Sequence, residues 1–292
     1  MSIRLRDIIE NPPADPFLSV LGFPVDHSFS PFIHQQALDD NNIAWKYHAI
    51  SVPEEDVALI PRLLNVPGFK GTNVTIPLKQ RIREFVATFD DEVAQLGAAN
   101  TLYHHDDKWK AANTDIYGFV KPLESFIDDF QNKPVVVLGS GGAARAVCYG
   151  LTEHTGVSEI YLISRSPNRI NLQNWPASKV LHPRLYSDLP DIMPGCSLVV
   201  NTTPVGMHPD TDSLPLPEEH LPLLEGKICY DLIYNPRITR FLEHASKNGC
   251  QIITGLPMFI HQAAKSFTIW TGKTFPVKKA EELIHRHLYG EN

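Results

Sequence analysis

The stretch of residues 135–145 joins an apolar run to small residues whose spacing suits the binding of a phosphate. Residues 135–138 are continuously apolar, which predicts a strand covered on both faces. The small residues that follow match G-x-G-x-x-G/A, a pattern that allows a tight turn, a close approach of the backbone to pyrophosphate, and packing of the next helix. The pattern predicts a dinucleotide site, and a tight turn without a ligand is the alternative. The predicted turn comprises Gly139, Ser140, Gly141, Gly142, Ala143 and Ala144.

The residues after the next predicted strand indicate which dinucleotide would bind. That strand covers residues 159–164 and begins about 20 residues after the first glycine. At its end, a site specific for NAD usually carries Asp or Glu, which binds the ribose 2′-hydroxyl. This chain instead carries Ser164, Arg165, Ser166 and Arg169, whose guanidinium and hydroxyl groups would bind a 2′-phosphate through charge-assisted hydrogen bonds. The sequence therefore favours NADP, and a solvated polar loop that binds nothing is the alternative.

Small polar residues are also dense in the N-terminal part of the chain, in the segments 27–31, 71–79, 97–101 and 112–115. Most of these segments begin or end a predicted strand, where α/β folds collect ligand-binding groups. Taken singly, Ser28 and Ser30 could cap a helix, Asn100 could hold a turn, and Lys79 could be an exposed lysine. Together with the carboxylate of Asp115, these side chains suit a small polyhydroxylated ligand.

The elements that must position these residues alternate between strand and helix, which predicts an α/β fold. Residues 1–16 are polar and rich in proline, and we expect them to form a loosely held arm. A hairpin is predicted from residues 100–104 and 109–112, with Asp106 and Asp107 at its turn. The predicted strands are 17–22, 45–52, 71–76, 135–138, 159–164, 198–203, 228–233 and 251–253. The predicted helices are 30–40 with Ser30 as N-cap, 54–65, 77–85, one from about 115, 237–247, 257–270 and 276–288.

The composition is that of an ordinary soluble globular protein, with 43% hydrophobic and 20% charged residues among 292. The formal net charge of −7 argues against a nucleic acid or an anionic membrane as partner. No apolar stretch approaches the roughly 20 residues of a membrane span, and the N-terminus lacks the apolar segment of a secretory signal. Four well-separated cysteines and no H-E-x-x-H pattern predict neither a disulfide framework nor a metal site, which fits a cytoplasmic protein.

The polar segments and the glycine turn resemble the shikimate dehydrogenase family from about residue 17 to residue 288. The family patterns H-S-x-S-P, G-x-N-V-T-x-P-x-K, G-A-x-N-T, N-T-D-x-x-G, G-x-G-G-A-A-R, N-T-T-P-x-G-M, Y-D-x-x-Y-x-P and G-x-x-M-x-x-x-Q occur in that order. The resemblance implies a substrate domain at residues 1–115 and a Rossmann-type, doubly wound NADP domain at 116–253, with a cleft between them. It also implies that helices in residues 254–292 return to the substrate domain.

The resemblance implies roles for individual residues. Lys79 and Asp115 match the catalytic pair, and both would also touch the substrate. The remaining matches to substrate-binding residues are Ser28, Ser30, Thr75, Asn100, Tyr234 and Gln262. The matches to cofactor-binding residues, besides the glycine turn and the serine and arginine residues above, are Thr202, Thr203, Pro204, Gly255 and Met258. The loop Ser164–Ser166 reads Ser-Arg-Ser where the family commonly has Asn-Arg-Thr, and the retained hydroxyls should preserve the NADP preference.

The reaction implied is reversible reduction of 3-dehydroshikimate to shikimate with NADPH, in aromatic amino acid biosynthesis. We expect Lys79 to exchange the hydroxyl proton while Asp115 orients the hydroxyl and the ammonium. One alternative is a quinate/shikimate dehydrogenase that uses NAD or both cofactors, and a remote one is a non-catalytic regulator that senses NADP. The expected partners are small molecules alone, with the protein acting as a monomer or a homodimer.

Overall fold

A computed structural model describes residues 2–290, apart from the side chain of Asn174. Over these residues the chain divides into two compact units. The first unit comprises residues 2–114 together with Gln262–His287, and the second comprises Asp115–His261 with residues 288–290. Of the helices in the described part of the chain, none combines the length and the apolar character that crossing a membrane requires.

The first unit is built on a mixed sheet whose strands lie in the order β1-β3-β2-β4-β6-β7-β5. Neighbouring strands are parallel except around β6, which runs antiparallel to both β4 and β7. The strands are β1 (Ile3–Arg4), β2 (Phe17–Gly22), β3 (Lys46–Ser51), β4 (Phe69–Val74), β5 (Thr88–Phe89), β6 (Thr101–His105) and β7 (Lys108–Ala112). The first helices are α1 (Leu5–Glu10), α2 (Ser30–Asp40), α3 (Ile60–Leu63) and α4 (Asp91–Leu96).

The expectation of a loosely held N-terminal arm was wrong. Ile3 and Arg4 pair in parallel with Ile50 and Ser51, so the arm adds a strand to the sheet. In α1, Leu5 is fully buried and Ile8 nearly so, in the core of the first unit. The apolar residues of this short segment lie on one side of a helix that is only two turns long, and its burial becomes evident only in the folded chain.

Other local expectations were met or adjusted in detail. The predicted hairpin is confirmed as β6 and β7, and Asp106 and Asp107 at its turn have positive φ angles of 49° and 57°. The helix predicted at 54–65 is a 3₁₀ segment (Glu54–Leu59) followed by α3, and the helix predicted at 77–85 is a turn followed by a 3₁₀ segment (Arg81–Phe85). The helix predicted from residue 237 begins later, as α9 (Arg240–Lys247) with Thr239 at its N-cap.

The second unit contains a wholly parallel sheet whose strands lie in the order β10-β9-β8-β11-β12-β13. The first strand in sequence lies in the middle, so the order reverses between β8 and β11, and in such sheets ligands bind beside that point at the carboxyl ends. The strands are β8 (Pro134–Leu138), β9 (Glu159–Ile163), β10 (Leu181–Arg184), β11 (Leu198–Asn201), β12 (Ile228–Asp231) and β13 (Gln251–Ile253). The helices of this unit are α5 (Thr114–Val120), α6 (Ile127–Phe130), α7 (Gly142–Thr155), α8 (Leu189–Ile192) and α9. The chain continues through α10 (Gly255–Thr271), whose residues from Gln262 on belong to the first unit, to α11 (Val277–Leu288) of that first unit.

The core of the second unit follows from the apolar run that the sequence displays. Val135, Val136, Val137 and Leu138 are all fully buried, as a strand flanked by helices on both faces requires. Alternate residues of this strand belong to different clusters of buried side chains, so both faces of the sheet are covered. The carboxyl ends of β8, β11 and β12 are in register, with Leu138 beside Asn201 and Asn201 beside Asp231.

Candidate functional site

Backbone hydrogen bonds hold several predicted site residues of the first unit close together, at the end of β4 and the start of β6. Thr75, which follows β4, donates its N–H to the Leu21 carbonyl of β2 at 2.8 Å. Val74 donates to the carbonyl of Asn100 at 2.7 Å, and Ala99 donates to the carbonyl of Lys79 at 2.8 Å. The loop that carries Lys79 is therefore held beside the strand start that carries Asn100. The side chains of Thr75 and Lys79 are both half-buried.

Ser28 and Ser30 lie at the start of α2, although not in the capping arrangement expected. The helix begins at Ser30 itself, with Phe29 at the N-cap position and no side-chain cap. The Oγ of Ser28 accepts a hydrogen bond from the N–H of Ser30 at 3.3 Å. The predicted N-cap role of Ser30 was therefore wrong, because the helical conformation starts one residue earlier than the Ser-Pro pair suggests.

Asn100 is buried and its carboxamide belongs to a network of polar side chains. Its Oδ1 accepts hydrogen bonds from the N–H of Thr114 at 2.7 Å and from the Oγ1 of Thr101 at 3.0 Å. Its Nδ2 donates to the Oγ1 of Thr114 at 3.0 Å. These bonds fix the positions of Oδ1 and Nδ2 in the carboxamide. If the two atoms exchanged places, the N–H of Thr114 would lose its acceptor. Such an oriented amide is suited to bind a ring hydroxyl.

The same network reaches α10 through Ser266, a fully buried residue that the sequence motifs do not include. The Oγ of Ser266 lies 2.9 Å from the Oγ1 of Thr101 and 3.0 Å from that of Thr114, and it accepts from the Nδ2 of Asn73 at 3.0 Å. Ser266 lies one helical turn after Gln262, whose carbonyl accepts a hydrogen bond from the Ser266 hydroxyl at 3.1 Å. This four-residue spacing was the available signal, but only the fold shows that Ser266 contacts Thr101 and Thr114, the residues that hold the Asn100 carboxamide.

In the second unit, Asp115 occupies the first turn of α5 and is half-buried. Tyr234 follows β12, and its ring stacks on Phe259 with centroids 4.8 Å apart and planes 19° apart. Its carbonyl accepts a hydrogen bond from the hydroxyl of Tyr289 at 2.5 Å. Burial raises the pKa of the Tyr234 hydroxyl, which therefore stays protonated at neutral pH and can donate a hydrogen bond. No motif signalled Tyr289, since it lies far from Tyr234 in sequence.

The glycine turn combines one sterically restricted glycine with two that border open space. Gly139 has a φ angle of +102°, and a Cβ there would lie 2.8 Å from both Thr202 Oγ1 and Thr203 Cγ2, so a side chain is excluded twice over. A Cβ at Gly141 or Gly142 would meet no atom within 4 Å, so the backbone faces open space. Ala144 is fully buried, as the packing of helix on strand requires. Ser140 and Ala143 are exposed beside this space.

An open pocket of about 480 Å³ adjoins the turn and carries the predicted phosphate-binding loop. Arg145 extends over the ring of Trp175 with 5.3 Å between the guanidinium carbon and the ring centroid. Partial burial lowers the pKa of Arg145 from its usual value, and an arginine remains charged at neutral pH. Among the described residues that line the pocket none is acidic, so it suits an anion. The lining residues are Ser140, Arg145, Ser164, Arg165, Ser166, Arg169, Ile170, Asn171 and Trp175.

The remaining cofactor candidates of the second unit lie at the carboxyl ends of β11 and β13. Thr202 donates from its N–H and its Oγ1 to the carbonyl of Leu138, at 3.0 Å and 2.6 Å. Thr203 is half-buried and Pro204 is exposed. Gly255 begins α10, and Met258 packs against the core of the second unit. Within the described residues, no group of three or more His, Cys, Asp or Glu side chains is placed to hold a metal ion.

Comparison with known proteins identifies both ends of the chain with one family. Residues 20–102 match the family model described as the shikimate dehydrogenase substrate binding domain. Residues 255–284 match the model described as the shikimate 5'-dehydrogenase C-terminal domain.

Individual relatives match over nearly the whole chain. The shikimate dehydrogenase (NADP(+)) of Synechocystis sp. is 37% identical over 279 residues, which cover 93% of this chain and 95% of that protein. The structure of shikimate 5-dehydrogenase from Thermus thermophilus in complex with NADP(H) and shikimate has a TM-score of 0.80, with 33% identity, and the match covers 92% and 98% of the two chains. Quinate dehydrogenase from Corynebacterium glutamicum in complex with NAD has a TM-score of 0.82 at 25% identity, with 92% and 98% covered.

Proposed function

The chain belongs to the shikimate dehydrogenase family, and we propose that it catalyses the reversible, NADP-dependent reduction of 3-dehydroshikimate to shikimate. The observation that carries the cofactor assignment is the arginine-lined pocket beside an open glycine turn. The substrate assignment rests on family membership together with the intact set of polar residues in the first unit. An enzyme with this activity supplies shikimate to the synthesis of aromatic amino acids.

We assign the substrate contacts as the family motifs place them. Ser28, Ser30 and the protonated hydroxyl of Tyr234 would hold the substrate carboxylate, since three neutral donors bind an anion without neutralising it. Asn100 carries the best-supported assignment, because its carboxamide is buried and oriented by Thr101 and Thr114. The residues assigned to the ring hydroxyls are Thr75, Asn100 and Gln262.

We assign catalysis to Lys79 and Asp115. In the direction of shikimate oxidation, Lys79 Nζ takes the proton of the reacting hydroxyl, and in the reverse direction it returns that proton to the ketone oxygen. The Asp115 carboxylate orients the hydroxyl and the ammonium, and its charge favours the ammonium form of Lys79. NADP, when bound, would supply the hydride acceptor for oxidation at the carbinol carbon, and NADPH the hydride donor for the reverse reaction.

The residues assigned to NADP have distinct tasks. The backbone at Gly141 and Gly142 borders open space, so we propose that the turn binds the pyrophosphate there, helped by the N-terminus of α7. The guanidinium groups of Arg165 and Arg169 and the hydroxyls of Ser164 and Ser166 would bind the 2′-phosphate. Thr202, Thr203, Pro204, Gly255 and Met258 would contact the ribose and the nicotinamide.

We also propose that separate domains bind the substrate and NADP. Residues 1–115 would form the substrate domain, 116–253 the NADP domain, and the helices in 254–292 would complete the substrate domain. The four cysteines are free thiols, which suits the reducing cytoplasm. We expect small molecules to be the ligands of a monomer or a homodimer.

Initial rates of nicotinamide reduction test the proposal in a two-by-two design, with shikimate or quinate as substrate and NADP or NAD as cofactor. Strong activity with shikimate and NADP alone is the expected result. Comparable rates with quinate or NAD would favour the alternative, a quinate/shikimate dehydrogenase that uses NAD or both cofactors. No activity in a folded protein that binds NADPH would overturn the proposed enzyme in favour of a regulator.

A further inference from the structure

Asp231 is a fully buried carboxylate at the carboxyl end of β12 that the catalytic scheme does not use. Its Oδ1 accepts hydrogen bonds from Asn201 Nδ2 and from the N–H of Ile233, both at 3.0 Å. Its Oδ2 accepts from Thr239 Oγ1 at 2.7 Å. These three donors are neutral, so Asp231 brings a negative charge into the second unit beside the segments assigned to cofactor and substrate.

The first of these bonds determines the orientation of a neighbouring amide. An ionised carboxylate only accepts hydrogen bonds, so Asn201 must turn its Nδ2 toward Asp231 and its Oδ1 away. That Oδ1 accepts from both the N–H of Thr203 at 3.0 Å and the Oγ1 of Thr203 at 2.7 Å. Thr203 Oγ1 in turn accepts from the N–H of Val205 at 3.3 Å. Asp231 thus determines, through Asn201, the direction of the hydrogen bonds that hold the loop from Thr203 to Val205.

The second bond controls the turn that leads to Tyr234. Because Asp231 Oδ1 accepts the hydrogen bond of the Ile233 N–H two residues on, the segment forms an Asx turn directly before Tyr234. The carbonyl of Ile233 then accepts from the N–H of Gly255 at 3.2 Å. A Cβ at Gly255 would lie 2.2 Å from the Leu232 carbonyl oxygen, so α10 starts directly against this turn.

We propose that Asp231 is a positioning residue, which acts on Thr203 through Asn201 and on Tyr234 through the Ile233 turn. It thereby aligns the cofactor-binding loop with the residue that binds the substrate carboxylate. This inference rests on the proposed function for the roles of Thr203 and Tyr234. The hydrogen bonds that carry it lie wholly within the second unit.

The test compares three variants of the full chain at pH 8. Asp231→Asn keeps the shape of the side chain but can donate as well as accept, so it no longer dictates the orientation of Asn201. Asn201→Ala interrupts only the branch to Thr203. Thr155→Val is the matched control, because it removes another buried hydrogen bond, from Thr155 Oγ1 to the Leu151 carbonyl at 2.7 Å, within α7.

The readouts are the melting temperature, the Kd for NADPH from its fluorescence, and kcat and KM for shikimate at saturating NADP. We expect Asp231→Asn to raise both the Kd for NADPH and the KM for shikimate about tenfold, the equivalent of one hydrogen bond of about 1.4 kcal/mol. Asn201→Ala should raise the Kd for NADPH and leave the KM for shikimate unchanged. Thr155→Val should lower the melting temperature alone.

The inference is overturned if folded Asp231→Asn keeps both constants within about twofold of the parent, or if all three variants change them in step with the melting temperature. If Asp231→Asn does not fold, an unchanged Kd for NADPH in Asn201→Ala overturns it. If the parent protein binds NADPH but does not oxidise shikimate, the proposed function fails, while the comparison of Kd values still decides the branch to Thr203.

Discussion

At the scale of single residues, the proton-transfer role assigned to Lys79 makes the sharpest prediction. Lys79→Met keeps the apolar stem of the side chain but removes the amine, so kcat should fall about 10²–10⁴-fold while KM for shikimate changes little. Lys108→Met is the matched control, because Lys108 is exposed on the hairpin and has no assigned role. Initial rates over a range of shikimate concentrations measure both constants. An unchanged kcat in Lys79→Met would remove lysine from the proton-transfer step.

The arginine residues of the pocket predict how the protein distinguishes two cofactors. Arg165→Gln and Arg169→Gln each remove a cation from the proposed 2′-phosphate site, so each should raise KM for NADP about tenfold, as the loss of one charge-assisted hydrogen bond implies. KM for NAD, which lacks that phosphate, should stay the same. Arg286→Gln, at an exposed position of α11, is the control. Equal changes in KM for NADP and KM for NAD would show that these arginines do not bind the 2′-phosphate.

At the scale of elements, Ser266 of α10 forms hydrogen bonds with Asn73 of β4, Thr101 of β6 and Thr114. Ser266→Ala leaves Asn73, Thr101 and Thr114 without a shared partner in a buried place, which should lower the free energy of unfolding by about 1–3 kcal/mol. It should also raise KM for shikimate, because Asn100 and Gln262 lose a common support. Chemical denaturation and steady-state kinetics measure the two effects.

Thr268→Ala is a closely matched control on the same helix. The exposed Thr268 hydroxyl donates to the carbonyl of Ala264 one turn earlier at 3.0 Å, as Ser266 does to Gln262. Its loss should change the free energy of unfolding by no more than about 0.5 kcal/mol. Equal effects of the two substitutions would mean that Ser266 contributes only its bond within the helix.

The N-terminal segment is also an element of the fold rather than an appendage. Leu5 is fully buried, so Leu5→Ala should lower the free energy of unfolding by about 2–5 kcal/mol through lost burial and a cavity. Glu10→Ala, at an exposed position of the same helix, should have little effect. Thermal or urea unfolding distinguishes the two. A Leu5→Ala protein as stable as the parent would restore the view of a loose arm.

At the scale of the whole molecule, the buried Asp231 couples folding to pH. Burial, partly offset by three hydrogen bonds, raises the pKa of its carboxyl from 3.8 to about 6. Between these two values the folded protein binds more protons than the unfolded chain, so the contribution of Asp231 to stability is present below pH 4 and declines as the pH rises through 6. The decline should reach at most about 3 kcal/mol.

Urea unfolding of the parent and of Asp231→Asn from pH 4 to pH 7 measures this coupling. The other carboxyl groups are common to both proteins, so they cancel in the difference between the two free energies of unfolding. We expect the advantage of the parent to shrink as the pH rises and to level off near neutrality. A difference that does not vary with pH would contradict the raised pKa.

Local patterns in the chain were enough to predict most of the elements, because the apolar run at Val135–Leu138, the glycine turn, the hairpin and the two closing helices all appear in the structure. These features depend on side-chain periodicity, on glycine in positive-φ turns and on proline near helix starts, which operate over a few neighbouring residues. The candidate site residues were also identified from short motifs, and their roles stay predictions.

Which distant residues support those motifs became evident only in the folded chain. Ser266 meets Asn73 across 193 positions, and Asp231 meets Asn201 across 30. Leu5 is buried next to Ile3 and Arg4, which pair with β3. No local sequence pattern predicts this pairing. A buried polar group must find its hydrogen-bond partner wherever the fold brings one, so such partners are determined by three-dimensional packing rather than by spacing along the chain.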